Sequence, residues 1–128
     1  MGGGPTYLEQ KPVDWDLFQE QTSVAASTDN QEILSFTVKK GKKALIVAYR
    51  QAWDGALDPN LYHSLRINGV AHHKFSRSRV QFAAPEQDVF IPVPIPVEQG
   101  AIISVSVDND DTDTGNVTAR VIVYYYDP

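Results

Sequence analysis

The sequence predicts an all-β fold, a jelly-roll-like antiparallel β-sandwich of about eight strands with an N-terminal arm. Three observations carry this. From Gln31 onward, short runs rich in β-branched and aromatic residues are punctuated by Gly, Asn, Asp and Pro, the pattern of strands and their turns. No sustained helical period interrupts them. The 128 residues, 42% hydrophobic and 21% charged, have the size and composition of one globular domain.

Residues 1–30 read as an arm and residues 31–128 as the sandwich. The arm starts Gly-rich and becomes polar, with anchors at Tyr7, Leu8, Val13, Trp15, Leu17 and Phe18. Asp14 suits the cap of a helical turn over Trp15 to Gln21, but so short a helix is marginal alone in water. The expectation is therefore a short helix or an extended segment laid on a surface. Tyr7, Leu8, Trp15, Leu17 and Phe18 are its candidate partner-binding residues.

Strands follow at 33–38, 44–53, 62–67, 70–75, 79–82, 89–97, 102–107 and 117–126. Asn68-Gly69 supplies the two positive-φ positions of a type I′ hairpin turn. Phe36-Thr37-Val38-Lys39-Lys40-Gly41 and Ile95-Pro96-Val97-Glu98-Gln99-Gly100 share the pattern apolar-x-Val-x-x-Gly, as two similar Greek-key halves would. Pro92, Pro94 and Pro96 fall at alternate positions, so all three remove N–H donors from the same side of one strand. That predicts an edge strand guarded against unwanted pairing, with Ile91, Val93, Ile95 and Val97 sharing the buried face. Val121 to Tyr126 is apolar on both faces, which predicts a central strand; a subunit interface is the alternative.

Charge and residue usage narrow the function. Sixteen acidic residues against eleven basic ones leave a net charge of −5, which disfavours nucleic acid and anionic membranes as partners. There is no cysteine, so thiolate catalysis, disulfides and Cys-ligated zinc are excluded. The N-terminus lacks the basic start and apolar stretch of a secretory signal, and the apolar runs are too short to span a bilayer as a helix. The expectation is a soluble, untargeted chain.

Candidate chemistry is sparse. In a regular hairpin closed at Asn68-Gly69, Leu65 lies opposite His72 and Ser64 opposite His73. His63 and His72 then share a face and His73 points away, so the three cannot converge on a metal; they read as polar surface histidines. The loop 108–116 holds Asp108, Asp110, Asp111 and Asp113, the one place where oxygen donors cluster for Ca²⁺. Its spacing departs from an EF-hand, with Thr112 at the third ligand position and no later Glu, and a solvated turn is the plainer account. Lys39, Lys40, Lys42 and Lys43 suggest a solvated turn. With no Gly-x-Ser-x-Gly elbow and no nucleophile implied, the chain is expected not to be an enzyme and to need no cofactor.

Ile95-Pro96-Val97-Glu98-Gln99-Gly100, the strand running on to Asn109, and the last strand 117–124 resemble the end of small β-sandwich virion proteins of tailed bacteriophages. The match is most similar to capsid decoration, or cement, proteins and covers about the final third of the chain plus the related segment at 36–47. The resemblance implies a homotrimer that sits on the capsid surface of the virion, binds the major capsid protein and clamps it with a terminal arm. The alternative reading is a carbohydrate-binding β-sandwich, with Trp53, Tyr62 or Trp15 stacking on sugar rings beside Asp54, Asp58 and Asn60.

Overall fold

A computed structural model describes residues 11–54, 60–76, 78–79, 90–110, 112 and 114–128. The strands are β1 (Asp14–Val24), β2 (Thr28–Thr37), β3 (Lys43–Trp53), β4 (Leu61–Ile67), β5 (Val70–Ala71), β6 (Ser78–Arg79), β7 (Phe90–Val97), β8 (Ile102–Asn109) and β9 (Gly115–Tyr126). All pairings are antiparallel. One sheet has the order β1-β9-β3-β7; the other has the order β2-β8-β4-β5, with β6 also on β4. Because β5 and β6 pair with different parts of β4, they fill one strand position and the sandwich has eight. From β1 to β4 and again from β7 to β9 each successive strand changes sheet, which is the jelly-roll arrangement.

The alternation that predicted the strands also builds the core. Val117, Ala119, Val121, Val123 and Tyr125 of β9 face Ile103, Val105 and Val107 of β8, and all are buried. Each fully buried Val, Ile or Leu contributes about 1.5–3 kcal/mol by leaving water. β9 lies between β1 and β3, so the expected central position of the Val121–Tyr126 run holds. β7 has β3 as its neighbour and ends its sheet, as the prolines predict. Its face is less regular than expected, since Ile91, Ile95 and Val97 are buried but Val93 is exposed.

The repeated turns lie side by side. Val38 N–H donates to the Ala101 carbonyl and Gly100 N–H to that of Val38, while Gly41 N–H donates to Gln99 Oε1. Gly41 and Gly100 both have positive φ, near +80°. The common Gly is therefore the residue that lets each turn close without a Cβ penalty. The hairpin turn also forms as predicted, with φ of 51° at Asn68 and 83° at Gly69.

Two expectations are corrected. The arm does not extend to residue 30: Asp14–Val24 is a full edge strand paired with β9 from Asp14↔Tyr125 to Val24↔Gly115. The extended form wins over the helical one because pairing satisfies its backbone groups, and Phe18 turns inward to stack on Phe36 with ring centroids 3.8 Å apart. Tyr7 and Leu8 lie outside the described residues. The hairpin after Gly69 is also irregular. Leu65 still accepts from His72 N–H, but its own N–H donates to the Phe75 carbonyl, and pairing resumes at His63↔Ser78. The residues between form a turn, so His73 is not opposite Ser64.

Candidate functional site

The two sheets differ on their outer faces. On the β2-β8-β4 sheet, register and alternation place Ser35, Thr37, Ser104, Ser106, Ser64, Arg66 and Tyr62 outward, a mostly polar face interrupted by exposed Ile102. The outward positions of the β1-β9-β3 sheet carry Trp15, Leu17, Ile122, Tyr124, Leu45 and Ala48 instead. Leu45, Val47, Ala48, Ile122 and Tyr126 form a second buried apolar cluster there, separate from the core, with Tyr124 packed against it.

This cluster exists because both faces of β9 and β3 are apolar and because β3 carries a bulge. Pairing steps from Ile46↔Val123 to Ala48↔Ile122, leaving Val47 as the extra residue. A bulge of one residue inverts the alternation beyond it. Tyr49, Gln51 and Trp53 consequently face the core, while Arg50 faces outward opposite Arg120. Arg50 is only 5% exposed.

At the β1 edge the cluster opens into a hollow of about 280 Å³, lined by Pro12, Trp15, Leu17, Arg120, Ile122 and Tyr124. Trp15 is 58% exposed and Leu17 39%, so the hollow has an indole and an isobutyl group on its rim. Arg120 Nη1 donates to Gln19 Oε1 at 2.6 Å. An aromatic rim, an apolar floor and a guanidinium are the materials of a protein-docking pocket.

The acidic residues of β1 fall on the other side of the strand. Asp14 takes the ammonium of Lys39, whose hydrogen bond holds the Asp14 carboxyl below the usual aspartate range. Lys39 also lies 4.7 Å over the Tyr125 ring. Burial, followed by hydrogen bonding to Asp16, pushes the Tyr125 phenol up to about 12. Lys42 pairs with Asp127. Two of the four clustered lysines are thus answered within the chain.

The remaining candidates are dispersed. His63 is not a surface histidine: it faces the interior from β4, its Nδ1 2.6 Å from the Tyr49 hydroxyl. The His72 and His73 rings lie against each other at a tilt of 30°, with centroids 4.3 Å apart. Asp108 Oδ1 accepts from Asn30 N–H, Asp110 N–H donates to the Asn60 carbonyl, and Asp111 and Asp113 lie outside the described residues. Among the described residues no group of three His, Asp or Glu is close enough to hold a metal. Trp53 is 5% exposed, and Trp15 and Tyr62 stand on opposite outer faces. Asn116 donates to both carboxylate oxygens of Asp54, and Asp58 lies outside the described residues.

The apolar hollow was only half legible in the sequence. Trp15 and Leu17 were candidates, but their companions Ile122, Tyr124 and Arg120 depend on the β1–β9 register. Among known proteins, no family model matches the chain and no curated protein shows significant sequence similarity to it.

Proposed function

We propose that this chain is a structural virion protein that binds the outside of a tailed-phage capsid as a decoration or cement protein and stabilises the shell, acting as a trimer. The observation that carries the reading is the β1 edge of the β1-β9-β3 sheet, where exposed Trp15 and Leu17 rim an apolar hollow. An exposed indole and isobutyl group beside such a hollow are suited to burial against another protein. The jelly-roll strand order and the terminal-third resemblance to phage decoration proteins supply the kind of partner, the major capsid protein.

A protein that binds assembled shell better than free subunits shifts the equilibrium toward the shell by mass action. Three copies of a modest site on one trimer add avidity without any further contact. The test uses purified shells lacking the protein: the added chain should travel with them through a sucrose gradient and raise their melting temperature. A chain left at the top of the gradient rejects the reading. Sedimentation velocity of the free protein tests the trimer separately, and a monomer removes that part alone.

A further inference from the structure

We infer that the free edge of β1 takes up a basic, extended segment of a partner protein as a further strand, its backbone prolonging the sheet and one of its Lys or Arg side chains meeting Glu20. The inference rests on the reading that the protein docks through its β1 side and names what docks there.

A contrast among the sheet edges carries it. An unpaired edge presents a row of N–H and C=O groups that templates another strand unless something prevents it. β7, which ends the same sheet, holds Pro92, Pro94 and Pro96. In the other sheet the β2 edge is broken by two register shifts, and β5 and β6 are two residues each. β1 has none of these defences. It runs for 11 residues without a proline, and its register on β9 is unbroken from Asp14↔Tyr125 to Val24↔Gly115. On its other side it has no pairing partner among the described residues. Trp15 and Leu17, both exposed, alternate on one face of this edge, so a strand laid alongside sets its own apolar side chains next to them.

Charge names the occupant. The β1 and β2 edges lie on one flank of the sandwich, where Phe18 stacks on Phe36. The two strands contain Asp14, Asp16, Glu20, Asp29 and Glu32 and no Lys or Arg. Lys39 takes Asp14 directly and lies 4.0 Å from Asp16. Glu20 is exposed and forms no ion pair among the described residues. Opposite charges across neighbouring strands stabilise a sheet and like charges destabilise it. Antiparallel pairing with β1 of a second copy would set this acidic row beside its own duplicate, which disfavours self-pairing. The same field repels nucleic acid. A basic extended segment satisfies both the open backbone and the charge, the mode in which main-chain hydrogen bonds give affinity and alternate side chains give specificity.

Trp15 reports on the edge, since Trp53 is buried. Tryptophan emission and amide hydrogen exchange of the full chain are followed on adding a short peptide that alternates lysine with valine. Its counterparts are the same peptide with every backbone nitrogen methylated and a peptide alternating glutamate with valine. The lysine peptide should blue-shift the emission and slow exchange in β1, with binding that weakens as salt is raised, and the other two should do neither. Glu20→Lys should weaken that binding roughly tenfold or more. Glu20→Gln should show a smaller loss with unchanged melting, and Glu98→Lys, beyond the proline-bearing edge, should have no effect. Equal binding of the methylated or glutamate peptide, binding that ignores Glu20, or β1 amides protected by self-association of the free protein overturns the inference. Peptide binding with no shell retention leaves the inference standing and rejects the capsid reading; shell retention unaffected by Glu20→Lys does the reverse.

Discussion

Lowering the pH should destabilise the sandwich through His63. Gln51 Nε2 donates to the Tyr49 hydroxyl at 2.7 Å, and that hydroxyl lies 2.6 Å from His63 Nδ1. A phenol oxygen that accepts from the amide has its own proton to give, so the imidazole nitrogen is the acceptor and His63 is neutral. Burial pulls its pKa down from 6.5 to about 4. The unfolded chain binds this proton near the ordinary histidine value, so between those two limits it holds more protons than the folded chain. The contribution is therefore complete above the unfolded value and lost as pH falls through the window toward 4. At about 1.4 kcal/mol per pH unit the window holds about 3.5 kcal/mol at most, and partial solvent contact of the ring brings the expected loss to about 2 kcal/mol. Asp14 and Asp54 have lowered pKa values; their contributions fade only as pH falls below the ordinary aspartate value, under the His63 window. Urea unfolding from about pH 7.5 to about pH 4.5 measures the effect. The wild type should lose stability across the range and His63→Asn should lose clearly less, keeping only the smaller contribution of His72, whose pKa is also lowered by burial. Parallel curves for the two proteins refute the reasoning.

Four further outcomes follow from packing and exposure. A Cβ on Gly115 would lie 2.5 Å from the buried Trp53 ring, so Gly115→Ala should cost about 1–3 kcal/mol by overpacking, read from urea midpoints. Asn109 is fully buried and its Nδ2 reaches the carbonyls of buried Val24 and of Ala25, at 3.5 and 3.0 Å; Asn109→Ala should cost about 1–3 kcal/mol by removing the donor to the buried Val24 acceptor, again by urea unfolding. A chain shortened to start at Ala25 loses all of β1 and uncovers β9, so its calorimetric transition should fall steeply or vanish. Trp15→Ala, at an exposed position, should leave stability within about 0.5 kcal/mol of wild type by the same measurement.

Much of the fold was legible because local signals agreed with the global arrangement. The proline alternation on β7, the two-faced apolar run of β9 and the Asn68-Gly69 turn each describe a constraint that acts within a few residues. What was missed depends on distant partners. β1 reads as an arm because Asp14, Asp16 and Glu20 occupy its core-side positions; at the sheet edge Lys39 and Tyr125 make Asp14 and Asp16 tolerable. His63 reads as a surface residue until the bulge at Val47 turns Tyr49 inward to meet it, and a bulge of one residue leaves no local mark in an apolar strand. The turn after Ala71 likewise defeats counting from the hairpin. Half of the hollow was visible as Trp15 and Leu17, and the rest belongs to the register.

Docking through the β1 side of the β1-β9-β3 sheet is tested most directly by hydroxyl-radical footprinting of the free and shell-bound protein. Trp15 should be oxidised readily when free and protected when bound, buried Trp53 should stay protected in both states, and Tyr62 on the opposite sheet should be equally reactive in both. Protection of Tyr62 with Trp15 unchanged contradicts it.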